Sequence, residues 1–421
     1  RDQPRSRGLG DVYKRQPYNA EYKQPMMQIS PETQLFIREH QTDDVRALAL
    51  QARKYPNVDM PTAITQIAGR QVAAEKIPSW RDTDDIWYPK HLSLEQCSSE
   101  VTARYKATLL KGNSLTDLTG GFGIDCAFLA ARFKSATYVE RQQELCEIAA
   151  HNFPILNLNH INVKNEDGVS YLQAMSPVDC IFLDPARRNE HGGKTVAISD
   201  CEPDVAELEE LLLNKAEQVM VKLSPMLDLS LALKELQHVQ EVHIISANNE
   251  CKELLLILGQ ASAEEISIHC VNLPTRGAQE EQHFVFTREQ EQCSECNYTD
   301  TLENYLYEPN ASLLKAGAFR SIASAFPVKK LHPNSHLYTS DVLVESFPGR
   351  AFHIISQCSL NKKELKESLG DLKKANITVR NFPATVAELR KRIKLSEGGD
   401  TYLFASTLNN GQKVLIRCEK A

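Results

Sequence analysis

No stretch of this 421-residue chain approaches the roughly 18 consecutive apolar residues of a membrane helix. No membrane-spanning helix is expected in it. No signal-peptide pattern is read, and a cytoplasmic location is expected. A disulfide framework is also missing. The eleven cysteines are odd in number and scattered singly, apart from Cys293-Ser-Glu-Cys296, which suits reduced thiols. No internal repeat or low-complexity tract breaks the chain. Overall basic charge is lacking too: the net value is -7, which argues against a generally basic nucleic-acid binder. With 42% hydrophobic and 24% charged residues, the composition is that of a globular protein, long enough for about two to four domains.

The charge is unevenly spread. From Arg350 onward there are 14 Lys/Arg and 7 Asp/Glu, a net +7, so the preceding 349 residues carry -14. A basic tail on an acidic body points to a polyanionic partner, or to a solvated basic face. Residues 1–16 are polar, basic and aperiodic. They read as a non-native, adapter-derived segment, with Met26 or Met27 as the expected start.

Residues 28–110 read as an N-terminal helical segment. Ser30-Pro31 caps one helix, Asp59-Met60-Pro61 opens another, and Ser93 with Gln96 predicts a third, running to Leu110. Residues 111–262 alternate strand and helix, as an α/β sheet does. Seven strands are read, from Ser114–Leu118 to Leu254–Leu258. Ala247-Asn248-Asn249-Glu250 leaves no room for a helix, so the last two strands should form a hairpin and make one strand antiparallel. Residues 263–345 read as a ferredoxin-like α+β domain, with a loop over 289–300 and one helix over Ala311–Phe326. Residues 346–421 read as a second small α+β domain that ends in a hairpin around Asn409-Asn410-Gly411.

Chemistry concentrates after the first strand, in Asp117-Leu118-Thr119-Gly120-Gly121-Phe122-Gly123. Glycines there allow a ligand to approach the backbone, at the carboxyl end of a parallel strand where such ligands bind. A dinucleotide fingerprint would need glycine at position 126, but Cys126 stands there. The site therefore suits a ligand without a pyrophosphate.

Three acids follow. Glu140 ends the second strand, 17 residues after Gly123, where a carboxylate can accept ribose hydroxyl hydrogens. Asp167, just past the third strand, can accept from an adenine amino group or cap the next helix. Asp184 opens Asp184-Pro185-Ala186-Arg187-Arg188 directly after the apolar strand Cys180-Ile181-Phe182-Leu183. A nicotinamide-dependent oxidoreductase has no use for such an acid-proline corner. A transfer enzyme does, because the carboxylate can accept a hydrogen from the attacking group and align its lone pair.

Together these segments resemble the class I S-adenosylmethionine-dependent methyltransferases. More narrowly, the chain resembles bacterial members with a C-terminal THUMP-like domain. That resemblance rests also on Glu95-Gln96-Cys97-Ser98-Ser99-Glu100, Tyr105-Lys106-Ala107, Leu331-His332-Pro333-Asn334-Ser335-His336 and Gly398-Gly399-Asp400-Thr401-Tyr402. It implies a Rossmann-like seven-stranded sheet and S-adenosyl-L-methionine as cofactor. Asp117, Gly120, Gly121 and Gly123 would surround the methionine part, Glu140 would hold the ribose and Asp167 the adenine. Thr119, Phe122, Arg141 and Gly168 complete the expected cofactor-binding set. Asp184, Pro185 and Arg187 would be catalytic. The THUMP-like domain implies an RNA partner, tRNA or rRNA.

The target loop departs from the Asp/Asn-Pro-Pro-aromatic form of enzymes that methylate base amino groups. Ala186 and Arg187 stand at the third and fourth positions, and arginine can stack on a base or bind phosphate. Pyrimidine C5 chemistry would need a cysteine nucleophile near the end of the fifth strand. The sequence has Lys222-Leu223-Ser224-Pro225 there and disfavours it. A protein or small-molecule methyltransferase and an RNA-binding protein on an inactive scaffold remain as alternatives. No metal site is expected at Cys293/Cys296 or at His332/His336, and no membrane contact is expected. Oligomeric state is not legible.

Overall fold

The computed structural model describes residues 29–187, 197–261, 263–275, 280–370 and 372–421. Residues 1–16 and Arg188 lie outside them. The chain divides into two compact units, Arg1–Ile64 and Thr65–Ala421. In the first, Ser30 caps the helix Pro31–Glu39 by accepting from Thr33 N, and Asp44 caps Val45–Leu50. Phe36 packs edge-on against Tyr55 with ring centroids 4.7 Å apart.

The strands, in chain order, are β1 (Ser114–Asp117), β2 (Ser135–Glu140), β3 (Ile161–Asn165), β4 (Val178–Leu183), β5 (Ala186–Arg187), β6 (Cys201–Glu202), β7 (Ala216–Leu223), β8 (Val239–Ala247), β9 (Glu250–Gly259), β10 (Ser267–Leu273) and β11 (Gln282–Thr287). Seven more follow: β12 (Tyr305–Pro309), β13 (Lys329–Lys330), β14 (Tyr338–Ser340), β15 (Gly349–Cys358), β16 (Asn376–Val379), β17 (Tyr402–Thr407) and β18 (Lys413–Lys420).

The first sheet has the order β11-β10-β8-β9-β7-β4-β1-β2-β3. Its seven-stranded part is the Rossmann-like sheet expected from the sequence. β4 is apolar from Cys180 to Leu183, and those four residues are all buried, as suits a strand covered on both faces. β9 runs antiparallel to both β7 and β8. Its hairpin turns on Asn248 and Asn249, both at positive φ, +48° and +62°. Asparagine tolerates that region, and such turns match the twist of the flanking strands.

The structure adds two strands that the seven-stranded reading did not place in this sheet. β10 pairs parallel with β8, and β11 pairs antiparallel with β10. The second sheet, β13-β14-β12-β15-β18-β17-β16, runs through β12 and β15 without a break. Glu308 on β12 is buried and ion-paired with Arg350 on β15 and with Arg380. One apolar core joins Ile244 and Leu254 of the first sheet to Leu313, Ile322, Tyr338 and Phe347.

Three helical expectations change. The helix read from Ser93 to Leu110 is two helices, His91–Gln96 and Glu100–Leu109, because Ser99 rather than Ser93 supplies the cap, accepting from Thr102 N. The helix read over Ala311–Phe326 breaks at Gly317 (φ +78°), which ends Ala311–Ala316 before Ser321–Ala325 begins. In the segment read as a loop, Arg288–Cys293 is helical. Thr287 and Gln290 close a reciprocal capping box there, which offsets a polar sequence with no apolar face. Among the described residues, no helix is long and apolar enough to cross a membrane.

Candidate active site

The glycine turn sits where β1 ends. Gly121 and Gly123 have φ of +54° and +87°, conformations that cost a side-chain-bearing residue about 1 kcal/mol or more. Gly120 N donates to Val139 O at 2.9 Å, and Gly123 N to Gly120 O at 2.8 Å. Gly121 N donates to Glu140 Oε2 at 2.9 Å, while Gln142 N donates to Glu140 Oε1 at 2.8 Å. The acid read at the tip of β2 is thus locked against the turn, and it is 8% exposed.

Asp117 is buried at the head of the turn. Its Oδ1 accepts from Thr119 N at 2.9 Å, but its Oδ2 has no hydrogen-bond partner. Burial, reinforced by Asp125, Asp184 and Glu140, pushes this carboxyl well above its ordinary range against the pull of the Thr119 N–H, as expected for a desolvated acid among other acids. A buried acceptor left open is costly unless a ligand supplies the donor.

Thr119 ties the turn to the loop after β4: its Oγ1 accepts from Asp184 N at 2.6 Å. Asp184, 65 positions from Thr119, is therefore a neighbour of the glycine turn. The Asp184 side chain is 36% exposed and so reachable from solvent. Pro185 is buried, while Ala186 and Arg187 are exposed on the short strand β5, with Arg187 opposite Cys201 of β6.

Three members of the expected cofactor set are engaged by contacts within the protein. The Phe122 side chain is 3% exposed and packs edge-on against Trp80, with centroids 5.1 Å apart. It anchors the turn to the N-terminal helices. Arg141 points outward and pairs with Glu202 at 3.4 Å. Asp167 caps the helix Gly168–Ala174 by accepting from Ser170 N at 2.9 Å, with Gly168 as the first helical residue.

Beneath Asp184 lies a charge network that the sequence reading did not assemble. Lys222 Nζ, at the end of β7, is 2.5 Å from Asp184 Oδ2 and 3.2 Å from Asp125 Oδ2. Lys106 Nζ is 2.9 Å from Asp125 Oδ1 and 2.5 Å from Glu253 Oε2. Ser98 Oγ accepts from both lysines, at 2.8 and 3.1 Å, and donates to Asp125 Oδ2 at 2.7 Å. Burial pulls the Lys222 ammonium down, but Asp184, Asp125 and Glu253 outweigh it and hold it well above its ordinary range. Burial pushes Asp184 up, and Lys222 pulls it back. Burial also works against Asp125, yet Lys106 and Lys222 hold its carboxylate below the usual range. A signal for this network was present: Lys222 interrupts the apolar run Val219-Met220-Val221, and Glu253 directly precedes Leu254–Leu258. A charge inside a buried strand needs a partner.

Three stretches match known families. Residues 76–189 match a model described as protein-L-isoaspartate(D-aspartate) O-methyltransferase, residues 305–348 a ferredoxin-like domain, and residues 349–420 a domain described as THUMP domain-like. A solved structure described as "putative methyltransferase from Porphyromonas gingivalis W83" superimposes with a TM-score of 0.83. It is 36% identical, over 92% of this chain and 97% of that one. A structure described as an rRNA methylase from Streptococcus thermophilus is far more distant, with 16% identity over 39% of this chain and 95% of that one and a TM-score of 0.28. No curated protein matches.

Proposed function

This chain belongs to the class I S-adenosylmethionine-dependent methyltransferases with a C-terminal THUMP-like domain, and we propose that it methylates a base of structured RNA, tRNA or rRNA. The observation that carries the reading is the 2.6 Å bond from Asp184 N to Thr119 Oγ1. It sets the acid of the target loop against the turn of the donor site.

The residues fit S-adenosyl-L-methionine. The open Oδ2 of Asp117 suits the amino group of the methionine part, whose positive charge would favour the ionised carboxylate. Gly121 faces open space: a Cβ there would meet only Thr119 O, at 3.8 Å. Glu140 can accept from ribose hydroxyls while keeping its grip on the turn, since each carboxylate oxygen has two lone pairs. Asp167 and Gly168 border the adenine end. When bound, the cofactor supplies an electrophilic methyl group on a sulfonium sulfur.

Asp184 would be the catalytic residue of this chain. Lys222 engages its Oδ2 and holds the carboxylate in place, and the group accepts a hydrogen from the incoming nucleophile. Pro185 stiffens the corner, and Arg187 is placed to stack on a base or bind a phosphate. On this reading residues 111–262 form the catalytic domain, and the RNA docks on residues 263–345 and 346–421. The THUMP domain-like match and the +7 charge beyond Arg350 support that docking. Eleven free thiols suit a reducing cytoplasm.

The test is transfer of radiolabelled methyl from S-adenosyl-L-methionine into total RNA from a strain lacking this gene. Label in RNA that is lost in Asp184→Asn supports the reading. Label confined to protein would favour protein methylation, consistent with the description of the family matched over 76–189. Calorimetric cofactor binding without transfer to either pool would point to an inactive scaffold.

A further inference from the structure

On the sheet extension, away from Asp184, three side chains stand together that the methyl-transfer reading does not use. His243 on β8 and His269 on β10 are direct register partners of two parallel strands. Glu241 lies two residues before His243, so it shares that face of the sheet. One potential ligand atom from each residue lies within 4.8 Å of the others. The two imidazoles are stacked, with centroids 4.3 Å apart and planes 19° apart. We propose that Glu241, His243 and His269 bind one divalent transition-metal ion of the zinc class.

The orientation of each ring is fixed from outside the cluster. Tyr105, from the helix Glu100–Leu109, places its hydroxyl 2.9 Å from His243 Nδ1. A hydroxyl can accept from that nitrogen as readily as donate to it, which allows the tautomer with a bare Nε2. That Nε2 faces Glu241 Oε2 at 3.2 Å. With Nδ1 protonated, the two atoms are both acceptors, and a cation between them relieves the conflict. His283 on β11 does the same for His269, with 3.1 Å between its Nε2 and His269 Nδ1. Outer partners of this kind fix ring orientation and tautomer in metal sites. His243 is 2% exposed, so its ring is held in place before any ion arrives.

The chemistry of the set selects the ion. Two imidazole nitrogens and one carboxylate oxygen, with a water in the fourth position, form a tetrahedral zinc-type set, whereas calcium and magnesium prefer oxygen. Bonds of about 2.1 Å to a tetrahedral centre place ligand atoms roughly 3.4 Å apart. Small side-chain rotations would bring these three groups to that spacing. The ion would clamp β8 to β10 where the sheet extends beyond its seven strands.

Chelator-treated full-length protein titrated with Co²⁺ alone tests the site, with visible absorption as the readout and Zn²⁺ as competitor. One equivalent should give a d–d band without a thiolate charge-transfer band, and Zn²⁺ should abolish it. His269→Asn and Glu241→Gln, both outside the deepest core, should weaken Co²⁺ by more than the roughly 10–100-fold that a lost outer partner costs. His283→Asn should fall within that range. No visible band, or unchanged affinity in both His269→Asn and Glu241→Gln, would overturn the proposal. So would a thiolate band that disappears in Cys293→Ser.

Discussion

Lys222 Nζ lies 2.5 Å from Asp184 Oδ2, joining the end of β7 to the loop after β4. That ion pair makes the acid of the target loop part of a buried network rather than a free surface group. Two lysines and three carboxylates share it, with Ser98 at the centre. Networks of this kind hold geometry at the expense of desolvation.

Removing the charge of Asp184 while keeping its shape tests the role of the carboxylate. Asp184→Asn should lower the transfer rate by about 10²–10⁴-fold, the usual worth of a positioned acid or base. Calorimetric affinity for S-adenosyl-L-methionine should change by less than about threefold, below 1 kcal/mol. Parallel loss of both would assign Asp184 to cofactor binding.

On the proposed reading Lys222 acts through Asp184, as a positioning residue. Lys222→Met should destabilise the fold by about 3–5 kcal/mol, because Asp125 and Asp184 lose their shared cation. Lys222→Arg should recover part of the stability. Lys222 pulls the Asp184 carboxyl down, so without it that acid titrates at higher pH. The acidic limb of the transfer profile should therefore move to higher pH in Lys222→Met. An unmoved limb with lost stability would leave Lys222 with a purely structural role.

The two left-handed glycines of the turn should respond differently. At Gly123 a Cβ would lie 3.0 Å from Phe153 Cζ, and Phe153 is buried. Gly123→Ala should cost about 1–2 kcal/mol and lower the melting temperature. Gly121 faces open space, and asparagine tolerates positive φ. Gly121→Asn should keep the melting temperature close to that of the parent while weakening cofactor binding by about tenfold or more, equivalent to about 1.4 kcal/mol. Thermal melts and calorimetry on both variants check the contrast.

Acid should weaken the fold through half-buried histidines. His336 stacks on Phe319 with centroids 3.5 Å apart. Burial, then Lys330 and Arg380, hold it down at about 4, against 6.5 when unfolded. The unfolded chain binds more protons between those values, so stability should rise with pH from about 4 to 6.5 and be lost as pH falls through that window. His336→Asn, tolerable at φ +52°, should flatten the slope by an amount on the order of 1–2 kcal/mol, allowing for solvent screening of a half-buried ring. Denaturant titrations at pH 4.5 and 7 measure it.

The proposed RNA docking on the basic C-terminal domain would carry an electrostatic signature. Lys391 and Lys394 are exposed at the end of the helix Val386–Ile393. Lys391→Glu with Lys394→Glu should reduce the salt slope of RNA affinity by about 2 if each meets a phosphate. The melting temperature should fall only slightly, since each reversed charge opposes the helix dipole by about 0.3–1 kcal/mol. An unchanged slope would place the RNA path elsewhere.

Much of the fold was legible in the sequence because its signals are local. The apolar runs of β4 and β9, the asparagine pair of the β8–β9 turn, and the glycine turn before Ile124 each report their own conformation. The helices were less legible where one hydroxyl decides a boundary, as Ser99 does over Ser93. Within the candidate site, the acids at 117, 140, 167 and 184 stood out by their place at strand ends. Their partners did not: Lys106 and Glu253 meet across 147 positions.

By itself the sequence determined the alternation of strand and helix over residues 114–258, the glycine turn and the acid-proline corner. Periodicity, turn chemistry and apolar runs act over a few residues. Only the tertiary structure decided that Lys222 meets Asp184, that Phe122 packs against Trp80, and that β10 and β11 extend the first sheet to bring three histidines together. Those pairings depend on the spatial order of strands far apart in the chain, and burial then selects which charges must find partners.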